Sequence, residues 1–316
     1  MNRIQLGAFS GLLVVGVLVG GVQGQTRPAI EVRTIPVREN VYMLAGAGGN
    51  LGVCVGEDGV LLIDSEYAEL NEKVVGAVKA ISDRPIRFVI NTHWHFDHVG
   101  GNELLAAGGA VVVAHENVRK RMSSGQYLLG IDRQVPASPA AALPTVTFGD
   151  RLTFHWNGDE VAVVHVETAH TDGDSIVFFR KANVIHLGDV CFAGMYPFID
   201  VNAGGSIDGM VAAVDAALAL SNDETKFIPG HGPLSDVAGL RSYRQMLATV
   251  RDRVRALVDQ GKTREEVVAA KPTADLDAAW ARAFQPDTWV GLIYDGMTRE
   301  QGGRGKARSS GPDRGP

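Results

Sequence analysis

Apolar residues along the chain fall into short runs separated by Gly, Asp and Asn residues. Four such runs, at 31–37, 41–44, 51–55 and 60–64, have the length of β-strands. A stretch with helical spacing at 66–81 then leads to a strand at 86–91. A second round follows, with helices at 102–107 and 116–122 on either side of a strand at 110–114. Residues 31–122 are therefore predicted to alternate strands and helices.

The strand pattern resumes after residue 150, at 152–156, 161–166, 175–179 and 184–187. A helix at 207–220, a strand at 226–229 and a one-sided apolar helix between 237 and 258 follow. Residues 123–148 lack clear periodicity and are predicted to form a long surface loop. Two strand-rich blocks, each followed by helices, predict an α/β fold in which two sheets stack face to face between helices, a four-layer αββα sandwich.

The two ends of the sequence differ from the middle. Residues 1–24 have the features of a signal peptide, with Arg3 before an apolar run at 6–22 and the small pair Val22 and Gly24 before Gln25. An uncleaved membrane anchor is the alternative. We expect a periplasmic or secreted protein whose folded domain occupies 25–300, with no stable membrane partner after cleavage. Residues 301–316 hold no apolar anchor and are expected to be disordered.

Composition and charge exclude some classes of protein. The chain has 316 residues, 45% of them hydrophobic, which suffices for a full core, and a net charge of −6. An acidic body is a poor partner for phosphate backbones, so we expect no nucleic-acid partner. Only Cys54 and Cys191 are present, which excludes a disulfide scaffold and leaves a single bridge open. The oligomeric state is not readable from the sequence.

Four groups that bind metals lie within six residues, directly after the strand predicted at 86–91. They are His93, His95, Asp97 and His98. Imidazole nitrogen and carboxylate oxygen are ligands that zinc prefers, and the alternate spacing lets an irregular loop present them to two adjacent ions. The run therefore predicts a metal site.

Three later segments supply further ligands, each at a turn after a predicted strand. They contain His170, Asp189 and His231, and glycines at 188, 230 and 232 allow tight turns beside the ligands. In these motifs and their order, residues 30–260 resemble the metallo-β-lactamase superfamily. The resemblance implies an αββα sandwich and two zinc ions per chain. By that resemblance, His93, His95 and His170 bind the first zinc, Asp97, His98 and His231 bind the second, and Asp189 bridges both.

Variation within that superfamily narrows the choice of metal and chemistry. Di-iron members typically carry Glu at the position of His95, so His95 favours zinc. One lactamase subclass has a Cys ligand where Asp189 stands here, and Asp189 makes the ligand set closer to glyoxalase II and lactonases. Cys191 has the same strand parity as Asp189, and we favour packing over metal binding for it.

The resemblance implies a zinc-dependent hydrolase that cleaves an amide, ester or thioester carbonyl of a small-molecule substrate with metal-bound hydroxide. Asp97 is the expected catalytic residue, which both ligates a metal and orients the hydroxide. We take β-lactamase-like activity as the first choice. The alternatives are a lactonase or thioesterase, a mononuclear iron persulfide dioxygenase, or a binding protein with a vestigial site. Aromatic residues near the motifs are candidate pocket walls or core residues: Trp94, Phe96, Phe192, Tyr196 and Phe198.

Overall fold

The predicted alternation of strands and helices accounts for the first half of the fold. The structure, a computed structural model, describes residues 30–309, with side chains through residue 299. Its first nine strands are β1 (Arg33–Arg38), β2 (Val41–Ala45), β3 (Leu51–Cys54), β4 (Val60–Ile63), β5 (Ile86–Asn91), β6 (Val111–His115), β7 (Gln126–Leu128), β8 (Arg133–Val135) and β9 (Val146–Phe148). Seven of them form one sheet in the order β1-β2-β3-β4-β5-β6-β9, and β7 pairs only with β8.

A second sheet is built by the later strands. They are β10 (Arg151–Trp156), β11 (Asp159–His165), β12 (Ser175–Phe179), β13 (Val184–Phe192), β14 (Lys226–His231) and β15 (Ser235–Asp236), paired in that order. Strands β4, β5, β6 and β9 are parallel to one another, as are β13 and β14. The carboxyl ends of β5 and β14 carry predicted ligands, as is common for sites in α/β folds.

Helices cover both sheets. They are α1 (Asn71–Ile81), α2 (Phe96–Val99), α3 (Asn102–Ala107), α4 (Glu116–Met122), α5 (Ile207–Ala219), α6 (Val237–Asp259), α7 (Arg264–Ala269), α8 (Asp277–Trp280) and α9 (Pro286–Ser309). Helices α5 and α6 begin with side-chain caps. Ser206 accepts from the backbone N–H of Gly209 at 3.0 Å, and Asp236 accepts from that of Gly239 at 2.9 Å. Such caps contribute roughly 1 kcal/mol each.

Three apolar clusters separate the layers. Side chains of both sheets, among them Ile63, Ile90, Val163 and Val177, form the central cluster. The outer face of the first sheet packs on α1 and α3, and that of the second sheet packs on α5 and α6. The predicted α/β class and four-layer αββα sandwich are therefore confirmed.

Several expectations about irregular segments were incomplete. Residues 123–148 contain the β7–β8 hairpin, two 3₁₀ turns and the edge strand β9, where we expected only a loop. Helix α9 runs to Ser309, and the expected disorder of the tail 301–316 stays a prediction. A helix satisfies its backbone hydrogen bonds internally and can continue past its last apolar contact.

The expected signal peptide at 1–24 lies outside the described residues, as do residues 310–316. Within the described part of the chain, none of the helices combines the length and apolar character that crossing a membrane requires.

Candidate metal centre

The structure brings all seven predicted ligands together between the two sheets. His93, His95 and His170 group with Asp189, and Asp97 and His98 group with His231; within each group the ligand atoms lie within 4.8 Å of one another. The motif residues follow β5 of the first sheet, whereas His170, Asp189 and His231 belong to the second sheet or the turn before β12. Both halves of the sandwich therefore build the centre.

Asp189 lies at the middle of this cluster. Its Oδ1 is 3.1 Å from Nε2 of His98, and its Oδ2 is 3.4 Å from Nε2 of both His170 and His231 and 3.6 Å from Nε2 of His93. The carboxylate is buried, with 4% of its side chain exposed. One carboxylate thus faces both groups of ligands.

Two buried polar atoms in the cluster make no hydrogen bond, although other polar atoms lie near them. Asp189 Oδ1 is close to His98 without hydrogen-bond geometry, and His93 Nε2 likewise has no partner. A buried polar group without a partner costs roughly 1–3 kcal/mol. Imidazole nitrogens and carboxylate oxygens that converge in this way fit divalent cations such as zinc, which would satisfy both atoms.

The charges of the cluster prepare it for cations. Burial raises the pKa of Asp97, but neighbouring His98 and His231 lower it to about 2, so this carboxylate is ionised. Burial also raises the pKa of Asp189, and the surrounding imidazoles lower it well below its usual value. Burial lowers the pKa of His170 to about 4, which keeps its imidazole neutral.

The two histidines in the group that contains Asp97 have raised pKa values instead. Burial lowers the pKa of His231, but Asp189 and Asp97 raise it to about 9. Burial likewise lowers the pKa of His98, and the carboxylates of Asp189, Asp97 and Asp64 raise it well above its usual value. Without a cation, these imidazoles carry protons that partly balance the carboxylates.

Partners behind the imidazoles fix which nitrogen faces the cluster. Nδ1 of His98 lies 2.8 Å from Asp64 Oδ2, Nε2 of His95 lies 3.1 Å from Asp200 Oδ2, and Nδ1 of His170 lies 2.8 Å from the Phe198 carbonyl. These contacts leave Nε2 of His98, Nδ1 of His95 and Nε2 of His170 for a cation. Such partners orient ligands and raise their basicity.

The sequence did not identify these orienting groups. Asp64 directly follows β4, beside the strand that leads to the motif, and an acid in that position was the available signal. Asp200 lies in an irregular segment after β13 without any pattern. The acids near His170 play other parts: Asp174 accepts from the backbone N–H of His170 at 2.5 Å, and Asp172 pairs with Arg121.

Glycine is required at the turns beside Asp189. Gly188 has a φ of +50° and Gly232 a φ of +94°, in the left-handed region. A Cβ on Gly230 would lie 2.0 Å from Asp189 Oδ1 and 2.6 Å from the carbonyl carbon of Gly188. The predicted role of these glycines is confirmed.

Cysteines and the remaining histidines lie outside the ligand groups. Cys191 and Cys54 are both buried and free, so neither forms the single bridge that the sequence left open. His186 is buried, with Nε2 3.1 Å from the Asn50 carbonyl, which is a structural role. His115 and His165 stack on each other with centroids 3.7 Å apart, and His155 is exposed on β10.

A cavity of about 250 Å³ opens beside the cluster, with His95, Asp97, Asp189 and His231 in its wall. Three of the aromatic candidates line it: Phe96, Phe192 and Phe198. Trp94 and Tyr196 are core residues instead. A larger groove of about 370 Å³ between α1 and α3 contains none of the ligands.

Comparison with known proteins gives a family and a fold. The family model described as the metallo-beta-lactamase superfamily matches residues 45–231, which is more than half of the chain. A hydroxyacylglutathione hydrolase of Erythrobacter litoralis (strain HTCC2594) is 35% identical over 109 residues, or 34% of this chain and 35% of that protein. The chain therefore spans about a third of the length of this relative.

Two solved structures share the fold. A metallo-beta-lactamase from Pontibacter korlensis has 19% identity and a TM-score of 0.58, over 69% of this chain and 99% of its own. The stereoselective inverting sec-alkylsulfatase from Pseudomonas sp. has 17% identity and a TM-score of 0.65, over 84% of this chain and 50% of its own. At these identities the likeness concerns the fold alone.

Proposed function

The chain belongs to the metallo-β-lactamase superfamily, and from this premise we propose that it is a hydrolase that binds two zinc ions and cleaves a carbonyl ester, amide or thioester. The observation that carries the proposal is the position of Asp189 between two adjacent groups of ligands. One group would hold the first zinc and the other the second. A single-iron dioxygenase would use only part of this set.

The chemistry required for hydrolysis fits the ligands. Two divalent cations at neighbouring sites supply Lewis acidity, which polarises a carbonyl group and lowers the pKa of water from 15.7 to about 7. The chain's own contribution is to hold neutral imidazoles and ionised carboxylates in place within a buried site. No serine or cysteine nucleophile is needed for such a reaction.

We assign the catalytic role to Asp97. Its side chain is 14% exposed, lines the cavity, and has Oδ2 at 3.3 Å from Nε2 of His231. Because its pKa is about 2, the carboxylate accepts hydrogen bonds at neutral pH. We propose that Asp97 orients the attacking water so that a lone pair of the water oxygen points at the carbonyl carbon.

The bond class allows three kinds of substrate. We place β-lactams first, because the fold is shared with a lactamase and the proposed export would bring the protein into contact with such compounds. Thioesters are the second candidate, because the relative with 35% identity is named as a hydroxyacylglutathione hydrolase. Lactones, which are cyclic esters, are the third candidate.

Metal content and a substrate panel test the proposal together. We expect two zinc ions per chain and hydrolysis of at least one of nitrocefin, an acyl-homoserine lactone and an acyl thioester. His93→Ala should lower bound zinc and reduce turnover by at least about a hundredfold, more than the loss of an orienting partner. His155→Ala, on the exposed face of β10, is the matched control and should change neither.

One bound iron per chain, or normal turnover by the His93→Ala variant, would overturn this function. Export is a separate part of the proposal. The amino terminus of protein recovered from the periplasm or medium should begin near Gln25, and recovery from the cytoplasm with residues 1–24 intact would contradict it.

A further inference from the structure

The cavity beside the ligand cluster has apolar side chains in its wall next to the ligands, with Phe192 stacked on His231 at 4.8 Å between ring centroids. Its apolar side chains come from four separate segments and include Phe96, Leu128, Phe192, Met195, Phe198 and Phe284. Phe192 and Phe198 are nearly buried, at 5% and 6% exposure, and Leu128 is at 1%. Their positions are therefore fixed by packing, and the wall is preformed.

Phe284 comes from a part of the chain that contains none of the seven candidate metal ligands. It lies between α8 and α9, beyond the last residue matched by the family, and is half-buried. Its ring stacks on Phe198 with centroids 5.5 Å apart and planes at 15°. Nearby, Tyr196 stacks on Trp289 at 4.2 Å and donates to Asp277 at 2.9 Å. These contacts attach the carboxyl-terminal helices to the cavity.

Among the described residues that line the cavity, none is a lysine or arginine. Its charged groups are those of the ligand cluster itself. The guanidinium of Arg133 lies 3.7 Å over the ring of Phe96, and Arg133 lines a neighbouring groove. A carboxylate placed against the apolar side chains would lose its hydration, and outside the ligand cluster no described lining residue offers a cation to compensate, which is unfavourable.

Size gives a further limit. The cavity measures about 250 Å³, just below the roughly 300–1,000 Å³ of pockets for drug-sized molecules. It suits one substituent of a substrate, of the size of a benzyl or hexyl group. A peptide-like group with several charges would have to remain outside it.

We propose that the cavity selects substrates that carry a neutral, apolar substituent next to the scissile carbonyl bond, and that Phe284 is a residue that determines this specificity. The proposal rests on the hydrolase function above. Each methylene group of the substrate that packs well against aromatic rings raises kcat/KM by at most roughly 10–200-fold. The gain is smaller at an open wall.

Two ester series test the preference. The acyl series compares the p-nitrophenyl esters of acetate, hexanoate and adipate, the last bearing a free carboxylate at the far end. The alcohol series compares the acetate esters of ethanol, benzyl alcohol and 4-hydroxymethylbenzoate. We expect kcat/KM of the zinc-loaded protein to be about tenfold or more higher for the neutral apolar member of at least one series.

A binding experiment separates this inference from the proposed function. Ligand-observed NMR on the metal-free protein should show about tenfold tighter binding of hexanamide than of adipamate, the matched anion. If no substrate is hydrolysed but this binding preference is present, the hydrolase function fails and the cavity assignment stands. Equal binding of both ligands, or hydrolysis without preference in both series, overturns the inference.

Variants at Phe284 test whether this residue causes the preference for apolar substituents. Phe284→Ala should lower kcat/KM for the hexanoate or benzyl ester about tenfold more than it lowers that for p-nitrophenyl and ethyl acetate, and Phe284→Leu should restore most of the difference. Leu220→Ala removes an exposed apolar side chain after α5, 38% accessible, and serves as the control. An equal loss for short and long esters would show that Phe284 acts only on stability.

Discussion

Asp64 Oδ2 lies 2.8 Å from Nδ1 of His98, and both side chains are almost completely buried. The same carboxylate accepts from the backbone N–H of Thr92 at 2.7 Å and from its hydroxyl at 2.8 Å. Asp64 therefore positions both the first residue of the motif loop and the imidazole of His98. It connects β4 to the ligand group that we assign to the second zinc.

Asp64→Asn should weaken the second zinc site selectively. The amide keeps the shape of the side chain but presents at most one acceptor to Thr92 and His98, so we expect a loss of about 10–100-fold in affinity for one of two zinc ions. Competition with a chromophoric chelator measures both affinities. Unchanged affinity at both sites would contradict the orienting role of Asp64.

Asp200→Asn should have the complementary effect on the first site. Asp200 Oδ2 lies 3.1 Å from Nε2 of His95, and its Oδ1 accepts from the backbone N–H of Ala203 at 3.1 Å. We expect a loss of similar size, about 10–100-fold, confined to the other zinc ion. The two variants control for each other, because a general loss of structure would weaken both sites in both proteins.

Zinc affinity should rise with pH between about 6 and 9. The pKa of His231 in the metal-free protein is raised to about 9 by Asp189 and Asp97, so its imidazole is protonated at pH 7 and must release a proton to bind a cation. Each proton released makes affinity about tenfold stronger per pH unit in this range. Chelator competition at pH 6, 7 and 8 measures the slope, and a flat profile would refute the protonated state.

Gly230→Ala should destabilise the fold and disturb Asp189. The added Cβ would lie 2.6 Å from the backbone carbonyl carbon of Gly188. Because this contact is with backbone, rotation of a side chain cannot relieve it. We expect a loss of about 1–3 kcal/mol in the free energy of unfolding of the metal-free protein. Urea unfolding measures it. The control, Gly76→Ala, is on α1 with no atom near its Cβ, and should gain about 0.5–1 kcal/mol.

Both cysteines should be unreactive in the folded protein. Burial raises the pKa of Cys54 to about 11 and raises that of Cys191 further, so neither forms thiolate at neutral pH. Ellman's reagent should detect no thiol before unfolding and two after it. Reaction of either thiol in the native, metal-free protein would contradict the burial of these side chains.

Much of the fold was readable from periodicity. The elements Ile86–Asn91, Asn102–Ala107, Glu116–Met122 and Ser175–Phe179 have the residues that the sequence predicted. Strand β13 continues to Phe192 although Gly188 indicated a turn, because its pairing with β14 carries it past the glycine. The three-residue strands β7 and β8 are too short to show a period.

The ligands were predictable because they stand in dense motifs, whereas their partners were not. Asp64 and Asp200 are separated from the histidines that they orient by 34 and 105 residues. Only the packing of strands and loops brings such residues together; the sequence shows no pattern at Asp200 and, at Asp64, only an acid after a strand. Phe96, Phe192 and Phe198 were predicted as candidate pocket walls and line the cavity, whereas Phe284 was missed for the same reason.

The convergence of ligands from both sheets on Asp189 gives the cations a mechanical role besides chemistry. A cation held by imidazoles that follow β5 and by the carboxylate of Asp189 on β13 would link the two sheets. Zinc at a hundred times its dissociation constant would add about 2.7 kcal/mol to the free energy of unfolding for each independent site. Resistance to proteases and to heat would then depend on metal supply in the protein's surroundings.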